Sequence, residues 1–95
     1  MNKVEKLFLS KVINRAGIYL YSKEDALDFV EECKKQDVSV LGIDSFYLTE
    51  STIQPSVDNS VDFSTRSIGK GIFDEAIQFL KQRDSGLYFE IVCAE

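Results

Sequence analysis

Histidine is absent from this 95-residue chain, and so is tryptophan. Without histidine there is no imidazole base, no imidazole metal ligand and no Ser-His or Cys-His pair. Cysteine occurs twice, at Cys33 and Cys93. Two thiols are too few for a structural zinc site by themselves, or for a disulfide scaffold. The expectation is two reduced, buried thiols, with one disulfide formally allowed. One proline and five glycines exclude collagen-like and low-complexity classes. Long apolar runs are missing as well. The only uninterrupted one in the N-terminal segment is Leu7-Phe8-Leu9, shorter than a signal-peptide core. Nothing approaches the roughly 20 apolar residues of a membrane-spanning helix. These absences read as a cytoplasmic protein without membrane contact.

Positive charge is scarce. Eleven Lys and Arg face sixteen Asp and Glu, a net charge of −5. Phosphate backbones are repelled by such a chain and basic proteins attracted, so nucleic acid is not an expected partner. Between Lys35 and Arg66 there is no Lys or Arg at all. That stretch holds Asp37, Asp44, Glu50, Asp58 and Asp62, together with Phe46, Tyr47, Gln54, Asn59 and Phe63. Aromatic anchors with a polar rim characterise protein interfaces, and unbroken negative charge steers basic partners. Tyr47, Glu50, Asp58, Asn59 and Asp62 are therefore the candidate partner-binding residues. The plainer explanation is a β-rich segment that happens to lack lysine.

What is present suits one domain over residues 1–95, burying about 60–65% of its unfolded surface. Val4, Leu7, Phe8, Val12 and Ile13 have helical spacing and predict a helix over 3–15, stopped by Gly17. Residues 18–21 read as a short strand. Ser22 caps a second helix over 23–36, with Glu24 and Asp25 in its first turn and Lys34 and Lys35 near its end. Residues 38–48 carry apolar side chains on both alternating faces, the mark of a central strand, and Gly42 within it predicts a bulge or a close backbone approach. Pro55 must sit at an edge or a break. Residues 57–64 alternate as an edge strand, 71–84 form a third helix and 87–93 a closing strand. Leu41, Phe29 and Ile77 are expected in the core. The fold class is α+β: a two-layer sandwich whose mixed, mostly antiparallel sheet of four or five strands carries helices on one face, ferredoxin-like or a variant of it.

No catalytic constellation emerges. Gly69-Lys70-Gly71 lacks the glycine spacing and the following Ser or Thr of a phosphate loop. Asp44, Asp58 and Asp62 match no calcium-loop spacing. Neither a metal nor a cofactor is expected, and the chain does not read as an enzyme.

One order of motifs is distinctive. Ser22-Lys-Glu-Asp-Ala-Leu leads into a helix, followed by Val38-Ser-Val-Leu-Gly-Ile-Asp44, Ile53-Gln-Pro55 and Asp58-Asn59. This resembles small bacterial immunity proteins of polymorphic-toxin and contact-dependent systems, over residues 20–63. Members of that family read Leu-Gly-Gly-Asp, Ile-Glu-Pro and Asp-Asn-Trp at these places; here Ile43 replaces the second glycine and Ser60 the tryptophan. The resemblance implies a non-catalytic cytoplasmic protein that binds and neutralises one cognate toxin. Taken with the acidic stretch, the expected mechanism is occlusion, the acidic face covering a basic toxin surface such as a nuclease substrate groove. The alternative is a small acidic regulatory or adaptor domain that binds a protein or a small molecule.

Overall fold

In the computed structural model, residues 1–65 and 70–94 are described. The chain runs α1 (Lys3–Leu7), β1 (Ile13–Arg15), β2 (Ile18–Leu20), α2 (Lys23–Gln36), β3 (Val40–Leu48), β4 (Ile53–Asp62), α3 (Lys70–Lys81) and β5 (Tyr88–Cys93). It is a small mixed α/β fold with a β1-β2 hairpin and a separate three-stranded sheet ordered β4-β3-β5. Every described strand pair is antiparallel. The expected mixed sheet of four or five strands is thus replaced by a three-plus-two arrangement. A ferredoxin-like order would make the first strand of its β-α-β unit a full member of the sheet. Here β2 pairs with β1, and only an isolated bridge from Tyr21 to Phe89 ties that region to β5.

The helices form where the end signals agree with the periodicity. The Ser22 hydroxyl accepts from the Asp25 backbone N–H, and Glu24 and Asp25 sit where the helix dipole favours acid. At the other end Asp37 adopts the left-handed region, φ 57°, and its N–H bonds back to the Cys33 carbonyl. Helices α2 and α3 run antiparallel and are pinned at both ends. Lys34 pairs with Asp74 at 3.0 Å, an exposed contact worth no more than about 1 kcal/mol. Opposite, the Lys23 ammonium donates to the carbonyls of Lys81 (2.9 Å) and Arg83 (2.7 Å), a cation on the orphan acceptors of the α3 C-terminus.

The core lies between these helices and one face of the sheet. Phe29, Val30 and Cys33 of α2, Ala76 and Leu80 of α3, Ile43 of β3 and Phe89 and Ile91 of β5 are buried there. Phe8, Tyr21 and Phe29 meet as an aromatic trio, with centroids 4.9–6.2 Å apart. Phe29 and Ile77 join this cluster as expected, Ile77 from its margin. Leu41 does not: it is only half-buried and lines the opposite face of the sheet.

The predicted helix over 3–15 stops at Leu7. An Asn2–Glu5 capping box starts it, but Phe8 turns out of helical geometry. The chain then folds into the hairpin, whose two central residues, Ala16 and Gly17, both have positive φ. That is the backbone a tight two-residue hairpin turn needs. Arg15 at the tip donates to the carbonyls of Thr49 (2.7 Å) and Thr52 (3.1 Å), anchoring the hairpin to the β3–β4 turn.

β4 runs through Pro55 without a break, and it is an edge strand, where a missing N–H is tolerated. The third helix, predicted over 71–84, runs from Lys70 to Lys81, and Gly69 lies outside the described residues.

Candidate functional site

The centre of the site is the row of pairs on which β3 meets its neighbours. Ser45 faces Ser56, and Ile43 faces Val61, so Asp44 alone stands opposite residues 57–60 of β4. This wide bulge is braced from within. The Ser45 hydroxyl donates to the Asn59 carbonyl. The Ser45 N–H donates to the Ser60 hydroxyl at 3.0 Å, and that hydroxyl donates to the Ser56 carbonyl at 2.8 Å. The Asn59 amide donates to the Ser56 hydroxyl at 2.9 Å, while Arg83 reaches the Asn59 side-chain oxygen at 3.5 Å. The Arg83 guanidinium also stacks on Phe79, 4.3 Å from the ring centroid. Such bonds are worth about 1 kcal/mol each, and more is lost when one is broken inside a buried site. They hold Val57 out at the strand edge, 82% exposed.

Pairing register assigns side chains to faces. Ile43 with Ile91, and Ser45 with Phe89, point toward the helices. On the other face lie the pairs Asp44–Glu90 and Phe46–Tyr88, and the row Asp62–Gly42–Val92 across all three strands. Phe46 is buried outside the helix-side cluster, near the turn that Arg15 holds. The rest of this face is open. Leu41, Gly42, Asp44, Val61, Asp62, Ser64 and Val92 line a shallow cleft of about 300 Å³. Gly42 forms its floor; a Cβ there would come within 3.0 Å of the Val61 carbonyl oxygen. The close backbone approach expected at this glycine is therefore present.

The electrostatics of the open face are one-sided. β3, β4 and β5 together carry Asp44, Asp58, Asp62 and Glu90, and neither Lys nor Arg. Asp44 and Glu90 are directly opposed like charges, an arrangement that destabilises a sheet. Partial burial, followed by the Asp44 charge and a shared hydrogen bond, raises the Glu90 carboxyl above its ordinary value. Asp62 behaves in the opposite way. Hydrogen bonds from Ser64, including its N–H at 2.8 Å, hold that carboxyl below its ordinary value and keep it ionised.

The five residues singled out from the sequence are spread along β3, β4 and their turn. Asp62 sits in the acidic row. Tyr47, 45% exposed, pairs with Gln54 near the far end of β3. Glu50 is exposed in the β3–β4 turn, and Asp58 is exposed in the bulge. Asn59 is half-buried and spends its amide on the bracing bonds. Asp44 and Glu90 were not among the five. They lie nearly half the chain apart in sequence, and only the β3–β5 register sets them side by side. Among the described residues, no three side chains of His, Cys, Asp or Glu are grouped to hold a metal ion, and no helix is long and apolar enough to cross a membrane. No family profile, curated protein or solved structure matches the chain.

Proposed function

We propose that this chain is an immunity-type binding protein, which neutralises a basic bacterial toxin by covering the surface that takes the toxin's substrate. The observation that carries the reading is the open sheet face. It keeps an unfavourable Asp44–Glu90 opposition, adds Asp62 across a glycine floor, and offers no cation of its own strands in compensation. A lysine or arginine from a partner relieves that opposition, and its aliphatic stem fits against Leu41 and Val92. Binding favours the ionised form of Glu90, so affinity falls as pH drops through the raised Glu90 range. Glu50 and Asp58 extend the same negative field into the β3–β4 turn and along β4, and Tyr47 adds an exposed ring near the end of β3. The motif resemblance over residues 20–63 supplies the toxin as the kind of partner; an adaptor domain would use the same face for another basic protein.

Survival and binding test this together. The toxin encoded beside this gene is expressed with the chain, and association is followed by stopped flow at low and high salt. Protection is expected, with association that slows as salt rises. Reversing Asp44, Asp62 and Glu90 to Lys should abolish both. The reading fails if no neighbouring toxin gene exists, or if the toxin kills equally with and without the chain. Protection that persists in the triple variant moves the interface off this face.

A further inference from the structure

Cys33 lies in the last turns of α2 and is fully buried, whereas Cys93 closes β5 and is half-buried. Alternation along β5 puts Cys93 on the helix side with Phe89 and Ile91, against the cluster that contains Cys33. The Val38 N–H donates to the Cys33 carbonyl and the Ala94 N–H to the Ser39 carbonyl, both at 2.9 Å, and Cys93 pairs with Val40, so backbone bonds bring the end of α2 beside the end of β5. The Cys93 thiol reaches the Ile91 carbonyl oxygen at 3.8 Å, and the two thiols interact. Beside both lies the Tyr21 hydroxyl, buried and without a hydrogen-bond partner among the described residues. The sequence spacing gives no hint of this meeting, which depends on the α2–β5 packing.

We propose that Cys33 and Cys93 are an oxidisable pair, closing a reversible disulfide on reaction with a low-molecular-weight disulfide such as oxidised glutathione. The accessible Cys93 attacks first, as its thiolate, on one sulfur of oxidised glutathione. The glutathione S–S bond breaks, one glutathione leaves as thiolate, and a mixed disulfide forms on Cys93. Cys33 then gives up its proton and attacks the Cys93 sulfur, and the second glutathione leaves. Two protein thiols are oxidised, one glutathione disulfide is reduced to two thiols, and both protons end on glutathione. The interaction with Cys93, and then burial, push the Cys33 thiol up, so the second attack is the slower step. The product ties the end of α2 to the last strand, with β3, β4 and α3 inside the loop it closes. Disulfides of this kind in reducing compartments are transient and redox-responsive rather than structural. The inference is independent of the toxin reading.

The test is to equilibrate the folded chain with glutathione buffers of rising oxidised fraction, quench with acid, and map peptides by mass. The expected product is a monomer lighter by two hydrogens, with Cys33 and Cys93 in one linked peptide, returned to the thiols by dithiothreitol. Cys33→Ala should stop at a stable glutathione adduct on Cys93. Cys93→Ser should slow thiol loss on the order of tenfold or more, because only the buried thiol remains. A wild-type chain that accumulates the adduct without the linked peptide overturns the proposal, as does one unmodified in fully oxidised glutathione or linked only between chains. Cys33 reacting as fast in Cys93→Ser as in wild type overturns the stated order of attack.

Discussion

The two faces of the β4-β3-β5 sheet are made by alternate residues of the same strands, and they obey opposite rules. Toward the helices, Ile43, Ile91 and Phe89 are packed among the side chains of α2 and α3, and the buried Ser45 has its hydroxyl satisfied by the Asn59 carbonyl. Away from them, Asp44 and Glu90 oppose each other, and Gly42 leaves a floor where a side chain would otherwise stand. The helix-side face is arranged to lower the free energy of the chain alone. The open face carries repulsion that the chain alone does not relieve. A surface of that kind is expected where stability has been traded for recognition.

Four measurements put this contrast at risk. Phe89→Ala should cost about 3–5 kcal/mol in a denaturant titration, since the ring is fully buried at the centre of the helix-side face. Near-native stability of that variant would remove the distinction at its root. Ser45→Ala should cost about 1–3 kcal/mol, because the Asn59 carbonyl loses its donor inside the braced bulge. On the open face the sign reverses. Glu90→Gln should stabilise by about 0.2–1 kcal/mol at neutral pH by removing one of two opposed charges. Its pH dependence follows from the raised carboxyl. Between the ordinary value of 4.5 and the raised one, the folded state binds the extra proton, so wild-type stability falls as pH climbs through that window. Gln does not titrate, and the advantage of the variant should vanish below the window. An advantage that is flat from pH 4 to neutrality would assign it to something other than the charge. The smallest effect is expected at Val57→Ser, within about 0.5 kcal/mol of wild type, because the side chain stands in solvent.

Legibility in the sequence followed the strength of local signals. Helix α2 appears with the bounds the sequence predicts, because Ser22, its first-turn acids, its last-turn lysines and its apolar stripe all agree. β3 is the central strand, as apolar residues on both of its alternating faces predict, although the face away from the helices stays open. The first fifteen residues misled for an identifiable reason. Val4, Leu7, Phe8, Val12 and Ile13 satisfy helical spacing, yet one short helix followed by a hairpin places Val4, Phe8 and Val12 against the same core. Ala16 hid the turn, since alanine is a poor guide to a left-handed backbone. Ala16→Gly should therefore stabilise by about 0.5–1 kcal/mol, measurable as a raised unfolding midpoint. The candidate site was legible as a charge gap but not as a geometry. Asp62 could be named, whereas Glu90 required the β3–β5 register. The approach of Cys33 and Cys93 likewise comes from packing that no spacing encodes.

The free edge of β4 has a consequence for assembly. Pro55 brings no N–H to that margin, and residues 57–60 leave the ladder altogether. Another chain laid alongside would find matching backbone groups only in short, interrupted stretches, so this margin resists sheet-to-sheet polymerisation. A visitor to this side of the molecule must be recognised through its side chains rather than enlisted as one more strand.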